Sequence, residues 1–346
     1  MAGTVVGLDI GSSTIKVAEV ARASRDFRIA RAAVVPTPYG AVLEGAVANT
    51  EALKDAISAA FQQAGIRNRR VNTALGGKAV VVREIQLPGM PDEELAQAVR
   101  FEAERYLPVS GENLAVDYHV FERAKQGQRE RTEVLFVAAR RDVVDGFVNV
   151  MRQAGVTPEV MEVTSFALMR AFQKETSDGA LLIADLGAES TDVIVVHDGR
   201  LRLSRSVPVG GNMLTRAVAA ALDLEPTAAQ VVKEEKAVAP LGRGVPEDPT
   251  AARVVEAVAP VIGDMVTEIR RSVEFFQSRG SDRVRKAILV GGTARMPNLP
   301  ALFADELGLP VEVGDVLVAM PADHAPAGSG PVIAAAVGLA LRGAEP

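Results

Sequence analysis

The sequence predicts an α/β protein built from two related lobes that face each other across a ligand-binding cleft. The first observation is an apolar run that ends in Asp9-Ile10-Gly11, followed by a small polar turn and a second apolar run from Ile15 to Val20. The second observation is a copy of this pattern around Asp185-Leu186-Gly187, about half a chain later. The third is the length of 346 residues, which exceeds a single hydrophobic core.

The composition excludes several classes of protein. Hydrophobic residues make up 48% of the chain, which is enough for two cores, and the net charge of −6 gives no support for nucleic-acid binding. Because the chain has no cysteine, it has neither a disulfide framework nor thiolate chemistry. We find no signal peptide and no apolar run of membrane-spanning length, so we expect a cytosolic protein without direct membrane insertion.

The first Asp-turn hairpin has the residue types that a phosphate site requires. Gly11 lets the backbone approach a ligand closely, and Ser12 and Ser13 add hydroxyl groups to the N–H groups of the turn. Asp9 is placed to hold Mg²⁺ through water, and Lys16 is placed to offer a point charge to a phosphate. A single copy would favour an ordinary buried hairpin with a polar turn. The second copy favours phosphate binding.

The chain continues from this hairpin as strands and then a helix. Thr50 is expected to cap a helix whose Leu53, Ile57 and Phe61 share one face, and Gly65 is expected to end it. A buried strand from Val71 to Leu75 then runs into a pair of glycines.

Residues 78–154 form a predicted α/β unit of their own. Its helices and strands alternate in the order strand, helix, strand, strand, helix, and a further strand follows it. The expected elements are Ala79–Leu87, a helix from Pro91 that ends before Pro108, Ala115–Glu122, Thr132–Ala139, Asp142–Ala154 and the following strand Glu159–Val163.

Three later motifs are candidates for ligand binding. Gly210-Gly211-Asn212 opens a helix, where free N–H groups suit an anion, although a tight strand-to-helix turn explains the glycines equally well. Glu268 and Arg271 share a face of a long helix and could flank a ligand, or form a surface ion pair. Gly291-Gly292-Thr293 follows a buried strand.

The two hairpins resemble the phosphate loops of the actin-like ATPase superfamily, which includes actin, sugar kinases, heat-shock chaperone ATPases and FtsA. The position of the inserted unit narrows this resemblance to FtsA and to the PilM family of type IV pilus assembly proteins. The string Phe101–Pro108, followed by Val116-Asp117-Tyr118, is similar to the PilM family in particular. Taken singly, its residues are explained as well by solvated acids, such as Glu102 and Glu104, beside aromatics that close a small core. The resemblance covers essentially the whole chain.

The resemblance implies an actin-like ATPase fold, with two lobes around a nucleotide cleft and an inserted α/β subdomain of the FtsA/PilM type. It implies four subdomains. The first lobe is expected to comprise residues 1–77, 155–178 and 331–346, and the inserted subdomain residues 78–154. The second lobe is expected to comprise residues 179–222 and 286–330, with residues 223–285 as its smaller subdomain.

The resemblance also implies a site for ATP or ADP with Mg²⁺. Asp9 and Asp185 are the expected catalytic and metal-binding residues, and Glu268 with Arg271 is expected to bracket the ribose and base. The full expected set of nucleotide-binding residues is Asp9, Gly11, Ser12, Ser13, Lys16, Asp185, Gly187, Gly210, Gly211, Asn212, Glu268, Arg271, Gly291, Gly292 and Thr293.

As a function, the resemblance implies a cytoplasmic ATP-binding scaffold of the type IV pilus assembly complex. It is expected to be peripheral to the inner membrane through the N-terminal cytoplasmic peptide of PilN. That peptide is expected to lie between the first lobe and the insertion, near the helix Pro91–Tyr106. The resemblance further implies the pilus motor and the inner-membrane complex as partners, with a link between the motor and the periplasmic alignment complex.

One departure from the superfamily bears on catalysis. Actin and the chaperones have a second glycine two residues after the first in the second loop, whereas Glu189 stands here. A carboxylate beside a phosphate is repulsive, so we expect ATP hydrolysis to be slow at most. The alternatives are a filament-forming division protein like FtsA, whose membrane-targeting tail has no counterpart here, and a small-molecule kinase of the same fold.

Overall fold

The computed structural model describes residues 4–23, 26–107, 111–126, 129–175, 179–240, 246–280 and 282–342. Pro108 and residues 343–346, on which parts of the sequence-based predictions fall, lie outside the described residues. Among the residues within these ranges, no helix combines the length and the apolar composition that crossing a lipid bilayer requires.

The first lobe is built on a five-stranded sheet with the order β10-β6-β1-β2-β3. Strands β1, β2 and β3 form an antiparallel meander. Strand β6 pairs in parallel with β1, and β10 pairs in parallel with β6. These strands are β1 Thr4–Ile10, β2 Thr14–Ala23, β3 Asp26–Pro36, β6 Arg70–Leu75 and β10 Thr157–Val163, and between β3 and β6 lie the short strands β4 Val42–Leu43 and β5 Ala46–Val47 and the helix α1 Thr50–Ala64.

The second lobe repeats this sheet, with the order β13-β12-β11-β14-β15. Again three strands form a meander and two further strands join in parallel. The strands are β11 Ala180–Leu186, β12 Thr191–His197, β13 Arg200–Val207, β14 Val284–Val290 and β15 Val311–Val313. The duplication seen in the sequence at two turns therefore extends to the order of all five strands.

The helices of the second lobe pack on one face of its sheet. Their buried side chains share one core with β11, β12 and β14, so residues 223–285 add helices to this core. These helices are α5 Gly211–Leu222, α6 Pro226–Lys236, α7 Pro249–Ser278 and α8 Leu299–Leu307.

The inserted unit contains a three-stranded antiparallel sheet, order β7-β9-β8, with one helix packed on it. Its elements are β7 Val80–Pro88, α2 Asp92–Glu104, β8 Leu114–Gln126 and β9 Arg129–Arg140. The next helix, α3 Arg141–Gln153, buries Val143, Phe147 and Val150 in the core of the first lobe with α1. We therefore place α3 with the first lobe, whereas the sequence pattern groups it with the insertion.

Two helices lie between the two large sheets, where they share a core with the inner faces of both. They are α4 Thr164–Ala171 and α10 Gly330–Leu341, and a further short helix, α9 Val316–Ala319, precedes α10. A Cβ on Gly338 would lie 1.9 Å from the carbonyl oxygen of Ala167, and a Cβ on Gly7 would lie 1.9 Å from that of Ala336. Glycine is therefore required where α10 meets α4 and β1.

Helix α1 begins at Thr50, the residue predicted to be its cap, so the N-cap lies one residue earlier. Asn49, rather than Thr50, is the N-cap, because its side-chain oxygen accepts a hydrogen bond from the N–H of Ala52 at 3.1 Å. Gly65 ends the helix in the left-handed conformation, with φ = 65°, as the sequence predicts.

Candidate functional site

A cleft of about 550 Å³ opens between the two lobes. Both Asp-turn hairpins line it, together with the start of α5, one side of α6 and the turn after β14. Of the predicted nucleotide-binding residues, those that line the cleft are Asp9, Gly11, Ser12, Ser13, Lys16, Asp185, Gly187, Gly211, Asn212, Gly291, Gly292 and Thr293.

The first hairpin places a lysine and a carboxylate side by side. Asp9 and Lys16 are opposite each other in the β1–β2 ladder, and their side chains form an ion pair of 2.9 Å that is largely buried. Thr37 fixes the turn by donating a hydrogen bond to the carbonyl of Gly11 at 2.7 Å. A Cβ on Gly11 would lie 3.0 Å from Lys16 Nζ. Glycine therefore leaves the lysine head the space to meet a phosphate.

The second hairpin places two carboxylates opposite each other, because Asp185 pairs with Asp192 in the β11–β12 ladder. Burial raises the pKa of Asp185 to about 7, the charges of Asp192 and Asp9 raise it as well, and Lys16 opposes them. Burial also raises the pKa of Asp192. The ionised forms of Asp185 and Asp192 are therefore costly in this cleft unless a cation lies beside them.

Asp192 is a residue of the cleft that the sequence analysis did not select. The Ser206 hydroxyl lies near its carboxylate but outside hydrogen-bonding geometry, so Oδ1 is buried without a hydrogen-bond partner among the described residues. Its other oxygen, Oδ2, accepts the N–H of Gly77 at 3.1 Å. The signal available in the sequence was its position just after the turn of the second hairpin, opposite Asp185.

The residues of the cleft fit Mg²⁺ only in combination with a ligand. No group of three or more His, Cys, Asp or Glu side chains within the described ranges is arranged to hold a metal ion by itself. Magnesium in nucleotide sites is typically held by one or two carboxylates, several waters and the phosphates. The unpartnered oxygen of Asp192 beside the buried Asp185 fits that arrangement.

The glycines at the start of α5 form a tight strand-to-helix turn, which was one of the two explanations that the sequence left open. The N–H groups of Gly211 and Asn212 donate to the carbonyls of Gly187 and Ala188, at 2.9 and 2.8 Å, and so are not free for an anion. A Cβ on Gly210 would lie 2.6 Å from the carbonyl oxygen of Ala188. The start of α5 therefore holds the second hairpin in place, with Gly210 behind it.

The turn after β14 approaches the second hairpin as closely as Gly210 does. Gly291 has φ = 88°, and a Cβ on it would lie 2.6 Å from Asp185 Oδ1. Its N–H donates to the carbonyl of Pro331 at 2.9 Å, which ties the turn to the start of α10. This side of the cleft is therefore bare backbone, a surface suited to the flat face of a base.

Helix α6 supplies cleft residues that the sequence analysis did not select. Lys233 is largely buried and donates hydrogen bonds to Thr215 Oγ1 at 2.9 Å and Gln230 Oε1 at 2.8 Å. Burial lowers its pKa. Gln230 and Glu234 line the same wall. In the sequence this charged helix is indistinguishable from a solvated surface helix, so no local signal pointed to it.

Glu268 and Arg271 lie elsewhere and form with each other the ion pair that was the alternative explanation of their spacing. They do not line the cleft. Their shared face of α7 is turned towards β13, where Glu268 pairs with both Arg205 at 3.0 Å and Arg271 at 2.5 Å. The spacing of three residues was correctly interpreted as a common face, but the orientation of that face depends on packing.

Within the described part of the chain, two hydrogen bonds cross the cleft between the lobes. One is the bond from the N–H of Gly77 to Asp192, and the other runs from the N–H of Glu44 to Glu189 Oε1 at 3.3 Å. Glu189, which replaces the superfamily's second glycine, thus faces the first lobe at the cleft wall. The second hairpin is therefore in direct contact with the opposite lobe.

Comparisons with known proteins agree with this fold. A chain in a solved PilM-PilN type IV pilus biogenesis complex matches with a TM-score of 0.85 and 33% identity, over 100% of both chains. Cell division protein FtsA of Pseudomonas aeruginosa is 24% identical over 348 residues, which cover 90% of this chain and 82% of FtsA. MreB5 of Spiroplasma citri bound to ADP matches with a TM-score of 0.50 and 14% identity, over 97% of this chain and 94% of MreB5.

These likenesses establish the predicted fold class, the actin-like ATPase fold. The family model described as type IV pilus assembly protein PilM matches residues 7–344. Because that match spans nearly the whole chain, the protein belongs to the PilM family of type IV pilus assembly proteins.

Proposed function

We propose that this protein is a cytoplasmic, ATP-binding scaffold of the type IV pilus assembly complex at the inner membrane. The observation that carries the nucleotide part is the meeting of two Asp-turn hairpins across one cleft, with Lys16 paired to Asp9 at 2.9 Å. In this arrangement Lys16 would bind a phosphate and Asp9 would hold the metal.

In this proposal Ser12 and Ser13 bind phosphate oxygens at the first turn. Asp9, Asp185 and Asp192 hold Mg²⁺, in part through water, and the metal neutralises phosphate charge when bound. The base lies against the bare backbone of Gly291-Gly292, with α6 on the other side. The solved structure of MreB5 bound to ADP, a protein of the same fold, supports nucleotide binding in general.

We propose that the protein hydrolyses ATP slowly at most. Glu189 places a carboxylate in the wall of the cleft beside the second phosphate loop, where its charge repels phosphate. This carboxylate accepts a hydrogen bond from the N–H of Glu44 and so links the two lobes. We therefore expect ATP to act mainly as a ligand that holds the lobes together, with slow turnover.

The proposed partner is the N-terminal cytoplasmic peptide of PilN, bound between the first lobe and the inserted unit near α2. The similarity to a PilM-PilN complex supports the partner. On α2, Phe101 is 67% exposed, which leaves a large apolar side chain available for a peptide. Membrane association is then indirect, so flotation with anionic liposomes alone is expected to leave the protein unbound.

The test is titration calorimetry of the full-length protein with the N-terminal PilN peptide. Phe101→Ser should weaken binding by about tenfold to a hundredfold, because burying a phenylalanine contributes about 1.5–3 kcal/mol. Tyr39→Ser removes another exposed aromatic, 91% exposed on the first lobe, and should leave the affinity unchanged. Equal affinity in both variants would place the peptide elsewhere.

The likeness to FtsA supports a second candidate, a scaffold that assembles into filaments. Sedimentation of the purified protein with and without ATP distinguishes the two candidates. A nucleotide-dependent pellet would favour the filament, and a soluble species under both conditions would favour the scaffold.

A further inference from the structure

A second groove, also of about 550 Å³, lies where the inserted unit meets the second lobe. One wall is β7, with Val82, Arg83 and Glu84. The opposite wall is β13, and the last turns of α7 close one side. None of its lining residues belongs to the nucleotide cleft, so the two sites are separate.

Both walls of this groove are edge strands. β7 is the outer strand of the inserted sheet, and β13 is the outer strand of the second large sheet. No backbone hydrogen bond joins them within the described ranges, and the nearest link is Arg83, whose guanidinium donates to the carbonyl of Ser204 at 3.4 Å. An unpaired strand edge is a template for an added extended segment.

The groove carries an excess of positive charge in a protein whose net charge is −6. Five of its described lining residues are arginines and only one, Glu84, is acidic. Arg205 and Arg271 share the single carboxylate of Glu268, and Arg202 lies 3.7 Å from Glu84. Within the described part of the chain, Arg83 and Arg279 form no ion pair with a carboxylate. The groove therefore attracts anionic groups.

Apolar side chains complete the groove. Leu135, Leu201 and Leu203 form its floor, and two aromatic side chains stand at its rim, Tyr106 at 44% and Phe275 at 51% exposure. The guanidinium of Arg83 lies 5.5 Å from the ring centre of Tyr106, and that of Arg279 lies 5.3 Å from that of Phe275. A small anion would use the charges alone, whereas this groove also offers an apolar floor and two backbone edges.

We propose that this groove binds an extended, acidic segment of a partner protein that also carries apolar side chains. The segment adds to an edge strand, places carboxylates on the arginines and rests its apolar side chains on the leucines. We expect binding here to be independent of nucleotide, because no residue lines both this groove and the nucleotide cleft. It gives the scaffold a second attachment point, on the side of the insertion that faces the second lobe.

The test is a fluorescence-anisotropy titration of the full-length protein with a fluorescein-labelled octapeptide in which Glu alternates with Leu. The groove variant carries Arg271→Gln and Arg279→Gln, and both of these side chains are exposed. The matched control carries Arg22→Gln and Arg67→Gln, which removes two exposed arginines of the first lobe. We expect the groove variant to bind at least tenfold more weakly than the control, and an alternating Glu–Ser peptide to bind more weakly than the Glu–Leu peptide.

Three results would overturn the proposal. The first is absence of binding, or equal weakening in the groove and control variants. The second is binding of the Glu–Ser peptide as tightly as the Glu–Leu peptide, with displacement by inorganic triphosphate, since that describes a small-anion site. The third is a dimer in sedimentation velocity that the groove variant dissociates, because a second copy of the chain would then cover the groove.

Discussion

At the scale of single residues, the pair of Asp9 and Lys16 connects the sequence pattern most directly to ligand chemistry. Replacing Asp9 by Ala should weaken Mg-ATP binding by roughly 2–3 kcal/mol, the scale for losing a buried charged contact. Titration calorimetry with Mg-ATP measures the loss. Asp264→Ala, which removes an exposed carboxylate on α7, should bind as the wild type does. Unchanged affinity in Asp9→Ala would remove Asp9 from the site.

The residues that the sequence analysis identified and those it missed differ in one physical respect. Gly11 and Gly187 act within a turn, so a short string shows their role. Asp192 and Lys233 act through groups distant in sequence, such as Gly77 across the cleft and Thr215 on α5. Glu268 shows the converse, since helix spacing gave its face and only packing against Arg205 gave the direction of that face.

At the scale of elements, the contact between α10 and α4 requires glycine. Gly338→Ala should destabilise the protein by about 2–3 kcal/mol or prevent folding, because its Cβ would lie 1.9 Å from the Ala167 carbonyl oxygen. Gly263→Ala on α7 is the matched control, since a Cβ there meets nothing within 4 Å. The control should gain about 0.5–1 kcal/mol from helix propensity. Urea denaturation followed by circular dichroism measures both, and similar stability in the two variants would contradict the packing argument.

The inserted sheet has its own dependence on pH. Burial raises the pKa of Glu84 to about 7, as does a hydrogen bond with Glu133, its diagonal neighbour on β9, and Arg202 opposes both. The unfolded chain releases this proton near pH 4.5, whereas the folded chain keeps it to about 7. Between about pH 4.5 and pH 7 the folded state therefore binds more protons at Glu84 than the unfolded state does. The free energy of unfolding contributed by Glu84 decreases as the pH rises through this range.

Glu84→Gln removes this titration and keeps a donor for Glu133. The free energy of unfolding of the variant should rise relative to that of the wild type between pH 5 and pH 8. Glu256→Gln, at an exposed site on α7, should follow the wild type across the same range. Parallel pH profiles for all three proteins would show that Glu84 titrates normally in the folded state.

The order of elements was largely predictable, because strand and helix periods are local properties of the sequence. The inserted strands and helices appear within a few residues of their expected bounds. The assignment of α3 was not predictable, because an amphipathic helix shows which residues it buries but not against which core. Its Val143 and Phe147 join the core of the first lobe only because β10 returns to that sheet.

At the scale of the whole molecule, α4 and α10 pack between the two lobes, and among the described residues two hydrogen bonds cross the cleft. Both of these bonds are accepted by carboxylates of the second hairpin, those of Glu189 and Asp192. A ligand held by both hairpins therefore adds to an existing contact between the lobes. This predicts that nucleotide stabilises the molecule even when no hydrolysis takes place.

Mg-ATP at about one hundred times its dissociation constant should stabilise the folded protein by about 2.7 kcal/mol, since it binds only the native state. In a thermal-denaturation experiment this appears as a rise of several degrees in Tm, and a non-hydrolysable ATP analogue should give the same rise. Turnover should stay far below the typical enzymic rate of about 10 per second.

Glu189→Gln removes the repulsive charge and keeps an acceptor for the Glu44 N–H, so it should bind ATP more tightly without becoming a fast ATPase. Fast hydrolysis by the wild type, or a rise in Tm that requires hydrolysis, would contradict the proposal. ATP hydrolysis would then be part of the function, and ATP would not be mainly a structural ligand.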